Sequence, residues 1–110
     1  MVTLKIKAEF ESVYKSQKRW HSPYFILFFK ENIHSQKRIG FCVSKKIGNA
    51  VCRNSIKRRL RNIYKESIPK LKNGDMILLA KGGVDKITYE TLRNNYNYAL
   101  LRLNLMQKLG

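Results

Sequence analysis

The stretch "VSKKIGNAVCRNSIKRRLRNIYK", residues 43–65, gathers the side chains of this chain best suited to chemistry, and that chemistry is anion binding. Arg53, Lys57, Arg58 and Arg61, interspersed with Asn54, offer guanidinium and ammonium donors of the kind that hold phosphate oxygens. Lys45 and Lys46 lead through a Gly48 turn to Asn49 at a helix start, where free backbone N–H groups also favour an anion. Bond cleavage is poorly served. No Asp or Glu lies between Lys37 and Lys65, so this region holds neither a general base nor carboxylates for a metal. His21 and His34 stand apart from Cys42 and Cys52, without metal-ligand spacing.

The elements that must position these cations follow from periodicity. At about 100° per residue, Cys52, Ile56, Leu60 and Ile63 fall on one narrow arc, which predicts a helix packed on a sheet. Arg53, Lys57, Arg58, Arg61 and Lys65 cluster around Asn54 on a separate arc, and Arg59 sits alone on the other flank of the apolar stripe. A merely solvated helix would interleave Glu with Lys at i,i+4. Here Arg53 faces Lys57, Lys57 faces Arg61 and Arg61 faces Lys65, each like-charged pair costing roughly 0.2–0.5 kcal/mol. Arg53 in the first turn and Glu66 in the last both oppose the helix dipole. Stability therefore argues against the arrangement, and a polyanionic partner argues for it.

The whole composition agrees. The chain has 110 residues, a formal charge of +16 and 44% apolar residues, enough for one domain spanning 1–110 with its own core. Such a charge points to RNA, DNA or an acidic membrane surface. A membrane helix would need bulky apolar residues left exposed, whereas the modest apolar arc of the basic helix is required by the core. The longest apolar run, Tyr24 to Phe29, is far too short to span a bilayer or to form a signal-peptide core, so a cytoplasmic protein is expected. Cys42 and Cys52 fit a reducing compartment as small buried thiols.

Along the chain, Ile6, Phe10, Val13 and Tyr14 recur at helical spacing and predict a first helix over 7–16. "SQKRWHSP" breaks the pattern. Tyr24–Lys30 reads as a strand, "KENIHSQK" as a turn and Arg38–Val43 as its hairpin partner. The basic helix runs from the Asn49 cap to about Glu66, with Pro69 as a stop. "KNGD" is a turn, and Met76–Ala80 is a wholly apolar strand covered on both faces. From a Thr88 cap, Leu92, Tyr96, Ala99, Leu100, Leu103 and Met106 form one stripe of what should be the longest helix. The expected class is α+β, an α/β sandwich of order α-β-β-α-β-α with the basic helix connecting two strands. Trp20, Tyr24 and Phe41 read as core or surface packing.

"RIGFCVSKKIGNAVCRNSIKRRLR" closely resembles the signature of the bacterial ribonuclease P protein subunit: a strand ending in Ser-Lys-Lys, then Gly-Asn-Ala-Val, then the Arg-Asn-Arg helix. The order of elements matches over essentially the whole chain, including Phe10 and Tyr14 in the first helix and "ITYE" opening the last. The resemblance implies a noncatalytic partner of an RNA enzyme that removes the 5′ leader from precursor tRNA. The RNA subunit, with Mg²⁺ held mainly by RNA and substrate, would perform the hydrolysis. Lys45, Lys46, Asn49, Arg53, Asn54, Lys57, Arg58 and Arg61 would lie against the RNA subunit. Phe10, Tyr14 and Phe28 would line a leader cleft between the first helix and the sheet. The resemblance also implies a ribosomal-protein-like mixed sheet, with a left-handed crossover through the basic helix, against the usual hand. No membrane is expected, and no obligate protein partner is evident from the sequence.

The chain departs from the motif at Ser55, where the second arginine of the Arg-Asn-Arg pattern would stand. Ser55 lies outside the main cationic arc, so one RNA contact is trimmed, and Arg59 on the same flank is the candidate replacement. Without the resemblance, Phe10, Tyr14 and Phe28 read equally well as core aromatics. A ribosomal or general RNA-binding protein is the alternative from a different class, since size, charge and layering do not distinguish the two.

Overall fold

The computed structural model describes residues 1–107. In chain order its elements are β1 (Val2–Thr3), α1 (Lys7–Tyr14), β2 (Lys18–His21), β3 (Phe25–Lys30), β4 (Lys37–Cys42), α2 (Ala50–Ser67), β5 (Gly74–Ala80) and α3 (Tyr89–Arg102). Short 3₁₀ turns at Ile68–Lys70 and Val84–Lys86 flank β5. The α+β class holds, with three helices on a mixed five-stranded sheet of order β1-β4-β5-β3-β2.

The pairing corrects the expected hairpin. β3 and β4 are not neighbours. β5 lies between them, antiparallel to β3 and parallel to β4. The parallel pair needs a long crossover, which α2 supplies. The local hairpin is instead β2 with β3, and β2 occupies the "KRWH" segment where the sequence pattern breaks. As an edge strand it buries little and carries no strong alternation. β1 adds two residues parallel to β4 on the opposite edge.

Alternation in the strands builds two unequal cores. On one face Phe25, Leu27, Phe29, Ile39, Met76 and Leu78 meet Ile56, Leu60, Ile63 and Tyr64 of α2 and Leu92, Tyr96, Ala99 and Leu100 of α3. On the other face Leu4, Val13, Phe28 and Ile77 form a smaller cluster under α1, edged by partly buried Phe10, Tyr14, Ile26, Cys42 and Leu79. α1 comes close because β4 has no side chain at Gly40, where an added Cβ would lie 2.5 Å from Cε1 of Phe10.

The caps form as read. Asn49 Oδ1 accepts from the Cys52 N–H at 2.9 Å, and Thr88 Oγ1 accepts from the Thr91 N–H at 3.1 Å. α3, however, is shorter than expected: 14 residues against 18 in α2. Asn104 adopts φ 56°, the Asn104 N–H donates to Leu101 O and the Leu105 N–H donates to Leu100 O. This left-handed terminator ends the helix, and Leu105 turns back into the core. Leu103 and Met106 therefore continue the apolar stripe outside the helix, with Met106 bridging to Leu71. α1 likewise stops at Tyr14, two residues early. β5 begins at Gly74 and so includes Asp75, a buried acid, beside the apolar run.

Candidate nucleic-acid interface

The α2 cations stand as the arc requires. Arg58, Arg61 and Asn54 are exposed, Arg53 and Lys57 are half-buried, and Ile56, Leu60 and Ile63 are in the core. Arg61 is steadied over the Phe41 ring, 5.9 Å from its centroid, and Arg53 Nη1 reaches Gly48 O at 3.4 Å. Among the described residues, ion pairs form between Lys7 and Glu11, Arg38 and Glu9, Arg38 and Asp75, and Arg93 and Glu66. None involves a cation of α2. Its acidic last-turn residue, Glu66, is turned toward α3, where Arg93 and Tyr89 hold it. Those hydrogen bonds, Arg93's first, keep its carboxyl below the usual range. Among the described residues the cationic face is thus left without acidic partners.

At the start of α2, Lys45 and Lys46 are exposed in a turn held by the Lys46 N–H donating to Ser44 Oγ at 3.1 Å and the Ile47 N–H donating to Ser44 O. Arg59 belongs to a different group. Its guanidinium donates to the carbonyls of Val84 at 3.1 Å and Ile87 at 2.5 Å, tying α2 to the turn before α3. It is a strut within the fold.

The second surface lies on the α1 side of the sheet. Register sets its side chains in rows across the strands. Gly40, Ile77, Phe28 and Arg19 form one row, covered by α1. Cys42, Leu79, Ile26 and His21 form the next row, which α1 covers less completely, reaching it through Tyr14, its last residue. Cys42, Leu79 and Ile26 are accordingly half-buried and His21 is exposed, leaving an apolar strip open across β4, β5, β3 and β2. Tyr14 walls it. Its hydroxyl lies 3.2 Å from Cys42 Sγ, and its ring meets Phe28 edge-on, with centroids 4.9 Å apart at 87°. Burial, then Cys42, pushes the Tyr14 hydroxyl above its ordinary pKa.

Phe10, Tyr14 and Phe28 are therefore brought together, but unequally. Phe10 and Tyr14 are partly open, whereas Phe28 is only 6% exposed and lies beneath Tyr14 with Arg19 over its ring at 5.3 Å. Phe28 supports the wall more than it offers a face. Sequence reasoning missed the floor, Cys42, Leu79 and Ile26, and the rim, Arg19 and His21. The polar segment 15–22, with no acid in it, was the available signal.

Beyond the strip, Asp75 takes a bidentate contact from Arg38 at 2.7 and 2.8 Å and a bond from Asn32 at 2.8 Å. Arg38 also binds Glu9, whose carboxylate accepts from the N–H groups of Lys5 and Ile6 and so anchors the start of α1. Burial alone would raise the Asp75 carboxyl, but Arg38 and Asn32 outweigh it and hold it below its usual range. This network fixes α1 to the sheet.

Both cysteines are free thiols. Among the described residues, no three carboxylates, imidazoles or thiols converge, and the cationic arc of α2 carries no carboxylate for Mg²⁺. The side chains present do not fit a metal held by the protein. No described helix is long and apolar enough to cross a membrane.

Comparison with known proteins places these features. The family model for ribonuclease P matches residues 2–104. The ribonuclease P protein component of Natranaerobius thermophilus is 36% identical over 109 residues, covering 98% of this chain and 95% of the relative. That of Citrifermentans bemidjiense is 37% identical over 97 residues, covering 88% and 84%. The structure of the Staphylococcus aureus RNase P protein superposes with a TM-score of 0.88 at 28% identity, covering 97% of this chain and 99% of that one.

Proposed function

Because the chain belongs to the ribonuclease P family, as the bacterial protein component of that tRNA-processing ribonucleoprotein, we propose that its two surfaces divide the labour of RNA recognition. The α2 face and its approach turn, through Lys45, Lys46, Asn49, Arg53, Asn54, Lys57, Arg58 and Arg61, bind the RNA subunit. The strip walled by Tyr14, with Phe28 beneath and Phe10 beside it over Gly40, takes the single-stranded 5′ leader of precursor tRNA. Cleavage belongs to the RNA subunit, and the Mg²⁺ it uses is held by RNA and substrate phosphates. The protein alone is inactive.

One observation carries the reading: among the described residues the α2 cations have no acidic partners, and the turn that begins this helix leaves β4 at Cys42, one end of the apolar strip. A polyanion lying along α2 neutralises the like-charge repulsion within it. A leader strand crossing the strip from its Cys42 end lies on a surface where bases can stack. Stacking on aromatic side chains is worth about 1–3 kcal/mol per base. Tyr14, steadied by Phe28 and Cys42, supplies it in this reading.

The test is reconstitution. Protein treated with nuclease and freed of RNA should leave precursor tRNA intact, and adding a cognate RNA subunit at low Mg²⁺ should restore cleavage at the mature 5′ end. Site-specific cleavage by the RNA-free protein would contradict the reading.

A further inference from the structure

The strip does not end in the interior. Its row finishes at His21 on β2, and among the described residues β2 pairs with β3 alone, so no described strand lies beside the outer backbone edge of Lys18–His21. Around that edge the side chains change character. Trp20 points to the opposite face of β2 and meets Tyr98 of α3, with centroids 5.6 Å apart at 68°. The Arg102 guanidinium lies 5.5 Å from the Trp20 ring centroid. Trp20 is only half-buried and Tyr98 is 51% exposed. No Asp or Glu occurs between residues 12 and 30, nor in α3 after Glu90.

We propose that this edge, formed by Lys18, Arg19, Trp20, His21, Tyr98 and Arg102, is a second single-stranded RNA contact that takes leader nucleotides farther from the cleavage site than those in the strip. The inference rests on the leader reading given above and extends it. The occupant follows from continuity and charge. An extended strand crossing the row from Cys42 to His21 must leave over β2. There it meets cations without acids and a Trp–Tyr pair with an arginine stacked against it, the combination that binds unpaired nucleotides without sequence preference. An unpartnered β edge covered by Lys and Arg would also discourage strand addition by another protein. The consequence is that leader length, beyond what fills the strip, contributes to affinity.

The experiment compares assembled holoenzyme on mature tRNA and on precursor tRNA with leaders of about four and about twelve nucleotides, on the scale of known single-strand sites. Wild type should bind the long-leader substrate more tightly than the short one. Combining Tyr98→Ser with Arg102→Gln, both at surface positions, should reduce that gain roughly fivefold. The preference for the short leader over mature tRNA should remain. Trp20→Leu serves as a second variant, with a melting curve because Trp20 also touches the core. A long-leader gain that survives intact in the folded double variant overturns the proposal, as does wild type that gains nothing from the longer leader. Loss of affinity for all three RNAs alike would also overturn it, by assigning the patch to the RNA subunit. If wild type fails to prefer any leader over mature tRNA, the cleft reading itself fails and the edge falls with it.

Discussion

Arg59 donates both guanidinium arms to backbone carbonyls, of Val84 at 3.1 Å and Ile87 at 2.5 Å, and so joins the middle of α2 to the turn that launches α3. It is a cation of the basic helix whose hydrogen bonds are made within the fold. Replacing it with Met should leave two carbonyls short of their charged donor and lower stability by about 2 kcal/mol. The salt dependence of RNA-subunit binding should stay as in wild type. A thermal melt beside a salt titration checks both.

Arg61 predicts the opposite pairing. It is exposed and its one noted contact is the Phe41 ring. Arg61→Ala should weaken RNA-subunit binding and reduce the magnitude of the salt slope by about one, the loss of one phosphate contact. Its melting temperature should change little. An unchanged slope in the folded variant would return this face to ordinary solvated charge.

Asp75 and Arg38 give the acid side of the stability curve. Because the folded carboxyl is held below its usual value, Asp75 binds a proton less readily in the folded state than in the unfolded one. Its contribution is present above the unfolded value and is lost as pH falls through the lower, folded one. Wild type should therefore lose melting temperature on acidification below about pH 4, through a step that Asp75→Asn lacks. At neutral pH the same variant should be less stable by about 2 kcal/mol, since it removes the charged bidentate acceptor of Arg38 and leaves that guanidinium only Glu9. Melting curves of both proteins across pH 2–7, the range over which carboxylates titrate, decide the point.

The basic helix was legible from sequence because everything that defines it is local: a capping Asn49, a narrow apolar arc and an unbroken cationic one. Strand pairing was not. β3 and β4 are adjacent in sequence with a polar turn between them, and nothing in either shows that β5, contributed more than thirty residues after β4, inserts between them. β2 escaped because an edge strand holding Trp20 as its one large apolar side chain has no period to read. α3 was overextended because its apolar stripe continues past Asn104, whose left-handed backbone ends the helix. The same limit hid the floor of the candidate cleft. Cys42, Leu79 and Ile26 come from three strands and become neighbours only through their register, whereas Phe10 and Tyr14 share one helix turn.

The central claim is that the Tyr14 wall reads an unpaired leader, and its most direct test is the affinity of assembled holoenzyme for precursor against mature tRNA with Tyr14→Leu in place. Leucine keeps an apolar side chain against Phe28 and Val13 but removes the ring. The precursor preference should fall by roughly 1–2 kcal/mol, the order of one stacked base. Mature-tRNA affinity should barely move, and the melting temperature should stay close to that of wild type. A folded Tyr14→Leu holoenzyme that retains its full preference for precursor tRNA would contradict the account.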